Sequence, residues 1–151
     1  MSASTQAAPE PEVRAFVYET CLSRGLPPSV AEIAKSLNLT AADARARVQR
    51  LAEAHVLYPQ PDGEILMAPP FSAVPTPFPV QAGGVSSFGN CIWDALGIIA
   101  MMQQDGTVST SCGCCGARLT LAVVGGALRS DQGTVHFAVP AKHWWDNIVF
   151  T

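Results

Sequence analysis

The chain has 151 residues, 9 Lys+Arg against 12 Asp+Glu, a formal net charge of −3, 48% hydrophobic and 14% charged residues. This length and apolar content support one domain, or two small subdomains sharing a core, and exclude global disorder. The acidic balance argues against a protein that lives by neutralising nucleic-acid phosphates, and no apolar run reaches the ~18 residues of a membrane span.

The first ten residues, MSASTQAAPE, lack a basic and an apolar region. They read as a disordered tail rather than a secretory signal, and a reducing cytoplasm is the expected compartment. From Pro11, Val13, Phe16, Val17, Cys21 and Leu22 share one helix face that stops at Gly25. Ser29 with Glu32 predicts a capping box opening a second helix whose inner face is Val30, Ile33, Ala34 and Leu37. After the Asn38-Leu39 turn, Thr40 caps a third helix to about His55, with Asp43 at the box position and Ala44, Val48 and Leu51 inward. Val56–Tyr58, the turn Pro59–Gly63 and Glu64–Met67 then predict a hairpin. This order over 11–67 is that of a winged-helix-like module.

Such modules often read DNA through the helix after the turn, which here carries Arg45, Arg47 and Arg50. Residues 1–70 hold six basic and eight acidic groups, so a structural or docking role is favoured over DNA binding. Residues 68–84, with five prolines and two glycines, read as an extended connector too apolar to be a free linker. In 85–151, Asn90 is expected to cap a helix from Cys91 to about Gln104. Strands are expected over Thr107–Ser111, Arg118–Val124 and Thr134–Val139, with another beginning at Ile148.

Five cysteines, four of them within Cys91–Cys115, suit metal or thiol chemistry better than a secreted disulfide frame. A Cys91 at the first helical position would have a depressed pKa, and Asp94 three residues on would share its helix face. A soft thiolate beside a proton-carrying carboxyl can hold a soft metal and protonate a group leaving it; the plainer alternative is a core cysteine and a helix-dipole aspartate. Cys112-Gly113-Cys114-Cys115 contains half a zinc knuckle without its second half, so these three remain candidate metal ligands or reactive surface thiols. Cys21 reads as a buried small hydrophobe. Trp144 and Trp145 could wall a site, although core packing is the commoner use of such a pair.

The runs PPFSAVPTPFPV and FGNCIWDALGI, with the SCG turn and the closing WWDNIVFT, resemble organomercurial (alkylmercury) lyases over roughly residues 12–151. The resemblance implies an α+β fold: a winged-helix-like three-helix module with a hairpin, then a small mixed α/β core (85–151). It implies protonolysis of a carbon–mercury bond, R–Hg⁺ + H⁺ → R–H + Hg²⁺, without an organic cofactor. Cys91 matches the first catalytic cysteine and Asp94 the catalytic aspartate, whereas Cys112 matches a cysteine of a structural turn. The implied partners are an organomercurial substrate and, as acceptors of Hg(II), small thiols or a mercuric reductase. The family's second catalytic cysteine follows a segment like Asn147–Thr151, where this sequence ends. With one thiolate protonolysis is expected to be impaired, and a core cut short there is expected to expose apolar surface that allows a homodimer. Two alternatives are a non-catalytic binder of mercury, copper or zinc on the same scaffold, and a metal- or thiol-responsive winged-helix DNA-binding regulator.

Overall fold

A computed structural model describes residues 10–129 and 133–149; residues 1–9 of the expected tail and the closing Phe150-Thr151 lie outside it. The local signals act where the sequence places them. Helix α1 (Pro11–Arg24) ends on Gly25 in the left-handed conformation, φ 84°. Helix α2 (Val30–Ser36) opens with the reciprocal Ser29–Glu32 capping box. Helix α3 (Ala41–Glu53) opens with the Thr40 hydroxyl accepting the Asp43 N–H. Arg24 grips Glu32 through two nitrogens at 2.6 and 2.9 Å, which ties the end of α1 to the start of α2 and holds the Glu32 carboxyl down at about 2.

After α3 come β1 (Tyr58–Pro59) and β2 (Ile65–Ala68), the expected hairpin. The extended connector also pairs into the sheets. It supplies β3 (Phe71–Ser72) to the first sheet, order β1-β2-β3, and β4 (Pro79–Ala82) to a second. Pro79 stands at the first residue of its strand, where a missing N–H is tolerated, and Val80 and Ala82 point inward while Gln81 points out. The second sheet has the order β5-β4-β6-β7-β8, all antiparallel, with β5 at Val85–Phe88, β6 at Gly106–Ser111, β7 at Arg118–Val124 and β8 at Ala127–Leu128. Helix α4 (Ile92–Met102) packs Ala95, Ile98 and Ile99 inward.

One buried cluster joins the two sheets and the helices, running from Val13 and Leu51 through Phe71 to Ile98 and Val108. A subdomain boundary therefore does not interrupt the apolar core.

Two expected strands are corrected. Residues 134–139 form no strand, because the sheet closes on the two-residue β8 and the segment leaves its edge. Strand-forming side chains without a partner edge gain nothing from extension; instead Phe137 crosses over α4, its ring edge-on to Trp93 at 6.3 Å. Ile148 and Val149 lie in a turn that follows a 3-10 helix, Ala141–Asp146.

The arginines of α3 are largely spoken for. Arg50 pairs with Glu10 at 2.6 Å, and Arg47 lies 3.4 Å from Glu10 and 3.8 Å from Glu12, so α1 and α3 share these charges. Gly25 is a second junction. Its backbone meets β5 so closely that a Cβ there would collide with the Ser86 carbonyl oxygen. Gly84, also at positive φ, has nothing within 4 Å of such a Cβ. Gly25→Ala is therefore expected to lower unfolding free energy by about 2–4 kcal/mol and Gly84→Ala by about 1, as read by urea denaturation of the two variants.

Candidate functional site

The connector builds the approach to α4. Gly89 is held on both sides, its N–H donating to the Phe78 carbonyl at 3.0 Å and its carbonyl accepting from the Thr76 hydroxyl at 2.6 Å. It also bridges to Phe71 of β3. A Cβ at Gly89 would stand 2.5 Å from the Ala95 nitrogen, so only glycine lets the chain enter the helix at this angle.

The N-cap of α4 is Cys91, not Asn90 as expected. Cys91 is extended, φ −143° and ψ −178°, and its sulfur accepts the Asp94 N–H at 3.4 Å. This places Asp94 at the third helical position, where a carboxyl turns back toward the cap. Its partner there is the Asn90 side chain: Asn90 Nδ2 donates to Asp94 Oδ2 at 3.0 Å and to the Pro70 carbonyl at 3.2 Å. Because the neighbours of Nδ2 are all acceptors, the amide orientation follows from the network. Asn90 Oδ1 is buried without a protein partner. The role of Asn90 was not read from the sequence; its place one residue before the cap and four before the carboxyl was the available signal.

Cys91, Asp94 and Asn90 face a cavity of about 170 Å³ whose other walls are Met67, Pro69, Trp93, Phe137, Trp144, Trp145, Ile148 and Val149. A second cavity, about 380 Å³, reaches Cys91 from the side of His136 and shares Asn90, Phe137, Trp144 and Val149 with the first. The tryptophan pair thus lines the site rather than filling the core, and neither residue is buried. Phe137 packs on Trp144 at 5.2 Å, and His55 from the end of α3 stacks on Trp145 at 4.4 Å with rings 5° from parallel. Residues from both halves of the chain therefore close around Cys91.

Burial overturns the expected depression of the Cys91 pKa. Desolvation pushes the thiol up, more than the N–H groups of Asp94 and Trp93 at its sulfur pull it down, and the Asp94 charge adds to the rise. Desolvation also raises Asp94, against the Asn90 hydrogen bond that lowers it. Both groups thus hold a proton more firmly than their exposed counterparts. Cys21 is fully buried in α1 and its thiol is pushed up to about 12, as suits an inert packing residue.

Cys112, Cys114 and Cys115 sit on the turn between β6 and β7 and do not line either cavity. There the N–H groups of Cys115 and Cys114 and the Cys115 thiol lower the Cys112 pKa. Among the described residues no three His, Cys, Asp or Glu side chains gather to hold a metal ion. Peptide-resolved alkylation with iodoacetamide at pH 8 is expected to modify Cys112 before Cys91 and Cys91 before Cys21. Asp94→Asn is expected to speed the reaction at Cys91, since a repelling charge is removed.

The sequence model of the alkylmercury lyase family matches residues 71–151. No curated protein matches the chain at a significant level. Among solved structures, the mercury-bound form of MerB2 superposes with a TM-score of 0.63 at 18% identity, over 80% of this chain. The chain spans 59% of the length of that structure's chain, and the likeness at this identity concerns the fold. The matched segment holds more than half of the residues, including Cys91, Asp94 and the aromatic walls. This protein belongs to the alkylmercury lyase family.

Proposed function

We propose that the chain is an organomercurial lyase-like protein that protonates the carbon of a carbon–mercury bond, with Cys91 as the capturing thiolate and Asp94 as the proton donor. The observation that carries this reading is the meeting of one thiol and one carboxyl, both desolvated, at an apolar cavity. An apolar cavity of about 150 Å³ holds benzene, so the 170 Å³ space between Trp93, Phe137 and the Trp144–Trp145 pair suits an aryl or short alkyl group.

The chemistry follows from the two pKa directions. Cys91 enters as a thiol; when R–Hg⁺ bonds its sulfur, the thiol proton is lost to the Asp94 carboxylate beside it. Asp94, now a carboxylic acid, gives that proton to the departing carbon, and R–H leaves while Hg²⁺ stays on sulfur. Asn90 is a positioning residue here, keeping Asp94 Oδ2 in place through its 3.0 Å bond. Neither cavity has a second cysteine among its lining residues, so an added small thiol is the second sulfur donor in an assay of this chain, and also the acceptor of Hg(II).

We read residues 11–67 as the winged-helix-like part and 85–151 as the lyase-like core, tied by 68–84. The order of α1–α3 and the β1–β2 hairpin supports this. The pairing of Arg47 and Arg50 with Glu10 and Glu12 favours a docking role for α3 over DNA recognition. Among the described residues no helix is long and apolar enough to cross a membrane.

The test is release of benzene from phenylmercury acetate by the purified chain in excess small thiol. Cys91→Ser is expected to abolish turnover. Asp94→Asn is expected to lower kcat by roughly 10²-fold or more, the range of general acid catalysis, while mercury still binds. Asn90→Leu is expected to lower kcat about tenfold with little change in KM, because the carboxyl is kept but not aimed. Mercury binding at Cys91 with no benzene from any variant or the parent would overturn the lyase reading in favour of a soft-metal binder.

A further inference from the structure

The turn between β6 and β7 carries three cysteines that the lyase reading leaves unused. It is closed by Cys112 N–H to the Ala117 carbonyl and Gly116 N–H to the Cys112 carbonyl, both at 2.8 Å. The second bond spans four residues, as in a single helical turn, and Gly116 ends it at φ 71°. On such a turn the first and fourth residues share a side and the third does not. The backbone thus places Cys112 and Cys115 on one side of the turn and Cys114 on another.

The pair is also accessible. Cys115 is exposed, Cys112 is half-buried, and a Cβ at Gly113 or Gly116 would meet nothing within 4 Å.

We propose that Cys112 and Cys115 form a second metal site, separate from Cys91, for a soft cation satisfied by two sulfurs, with Hg(II) as its representative. Binding forms two S–Hg bonds and releases two thiol protons, with no change of oxidation state. Polarisable thiolate donors select soft cations. Structural zinc requires four donors, and no group of three His, Cys, Asp or Glu able to hold a metal occurs among the described residues. The turn therefore discriminates by donor number: a two-coordinate ion is satisfied there and zinc is not. The site is independent of whether Cys91 and Asp94 catalyse.

The experiment uses the reduced 151-residue Cys91→Ser chain, titrated with mercuric chloride against a competing monothiol. Native mass spectrometry and sulfur-to-mercury charge-transfer absorption are the readouts. One equivalent of mercury is expected on this chain, retained when Cys114→Ser is added and lost when Cys115→Ser or Cys112→Ser is added. Zinc under the same conditions is expected not to be retained. Cys115 is exposed, so its variant keeps the fold, and thermal melts verify this for each chain. Absence of mercury from the Cys91→Ser chain, its persistence without Cys115, equal loss without Cys114, or tight zinc binding would each overturn the proposal. Benzene release by the parent chain is measured separately, so either reading can fail alone.

Discussion

The site depends on how closely the backbone at Gly89 approaches the first turn of α4. The connector clamps this residue through Thr76 and Phe78, and the space beside Ala95 admits no side chain. Once the entry angle is set, Cys91 becomes the cap and its sulfur takes the Asp94 N–H. Asp94 then falls within reach of Asn90, which the Pro70 carbonyl anchors from the other side. Thiol, carboxyl and amide are thus placed by backbone packing before any ligand arrives, which is the preorganisation that proton transfer requires.

Two effects compete for the protonation state of Cys91. The helix terminus offers N–H groups that favour a thiolate, and the aromatic walls exclude the water that would solvate one. Exclusion of water prevails, helped by the negative charge expected on Asp94. A thiol kept protonated until a cation of high sulfur affinity arrives is protected from milder electrophiles. The same desolvation raises Asp94, so the proton displaced from sulfur has a nearby carboxylate to accept it. Cys112 on the β6–β7 turn shows the opposite balance, its pKa lowered by the N–H groups of Cys115 and Cys114, and these surroundings separate its chemistry from that of Cys91.

Much of the first half was legible because its signals are local. Ser29 with Glu32, Thr40 with Asp43, and Gly25 after a helical apolar stripe act within one turn of the residues they order. The pairing of β6 with β7 across the cysteine turn was similarly accessible, since both strands border the turn that joins them. The connector was read only as extended, because prolines hide strand propensity, while β3 and β4 each pair with a neighbour that supplies an edge. Residues 134–139 failed in the other direction: their composition favours a strand, yet they join no sheet and Phe137 packs against Trp93 and Trp144 instead.

From the sequence alone came the pairing of Cys91 with Asp94 on one helix turn, the capping of α2 and α3, the inert place of Cys21 and the resemblance to alkylmercury lyases. Each rests on spacing within a few residues or on a linear motif. Tertiary structure alone decided that Cys91 caps α4, that Asn90 aims Asp94, that Trp144 and Trp145 line a cavity with His55 behind them, and that Arg47 and Arg50 are neutralised from α1. The aromatic and ion-pair contacts join residues distant in the chain, and the two short-range ones around Cys91 depend on the Pro70 carbonyl and the clamped Gly89, which the connector supplies. Burial, which reverses the expected pKa of Cys91, is a property of everything packed around the sulfur and not of the helix that carries it.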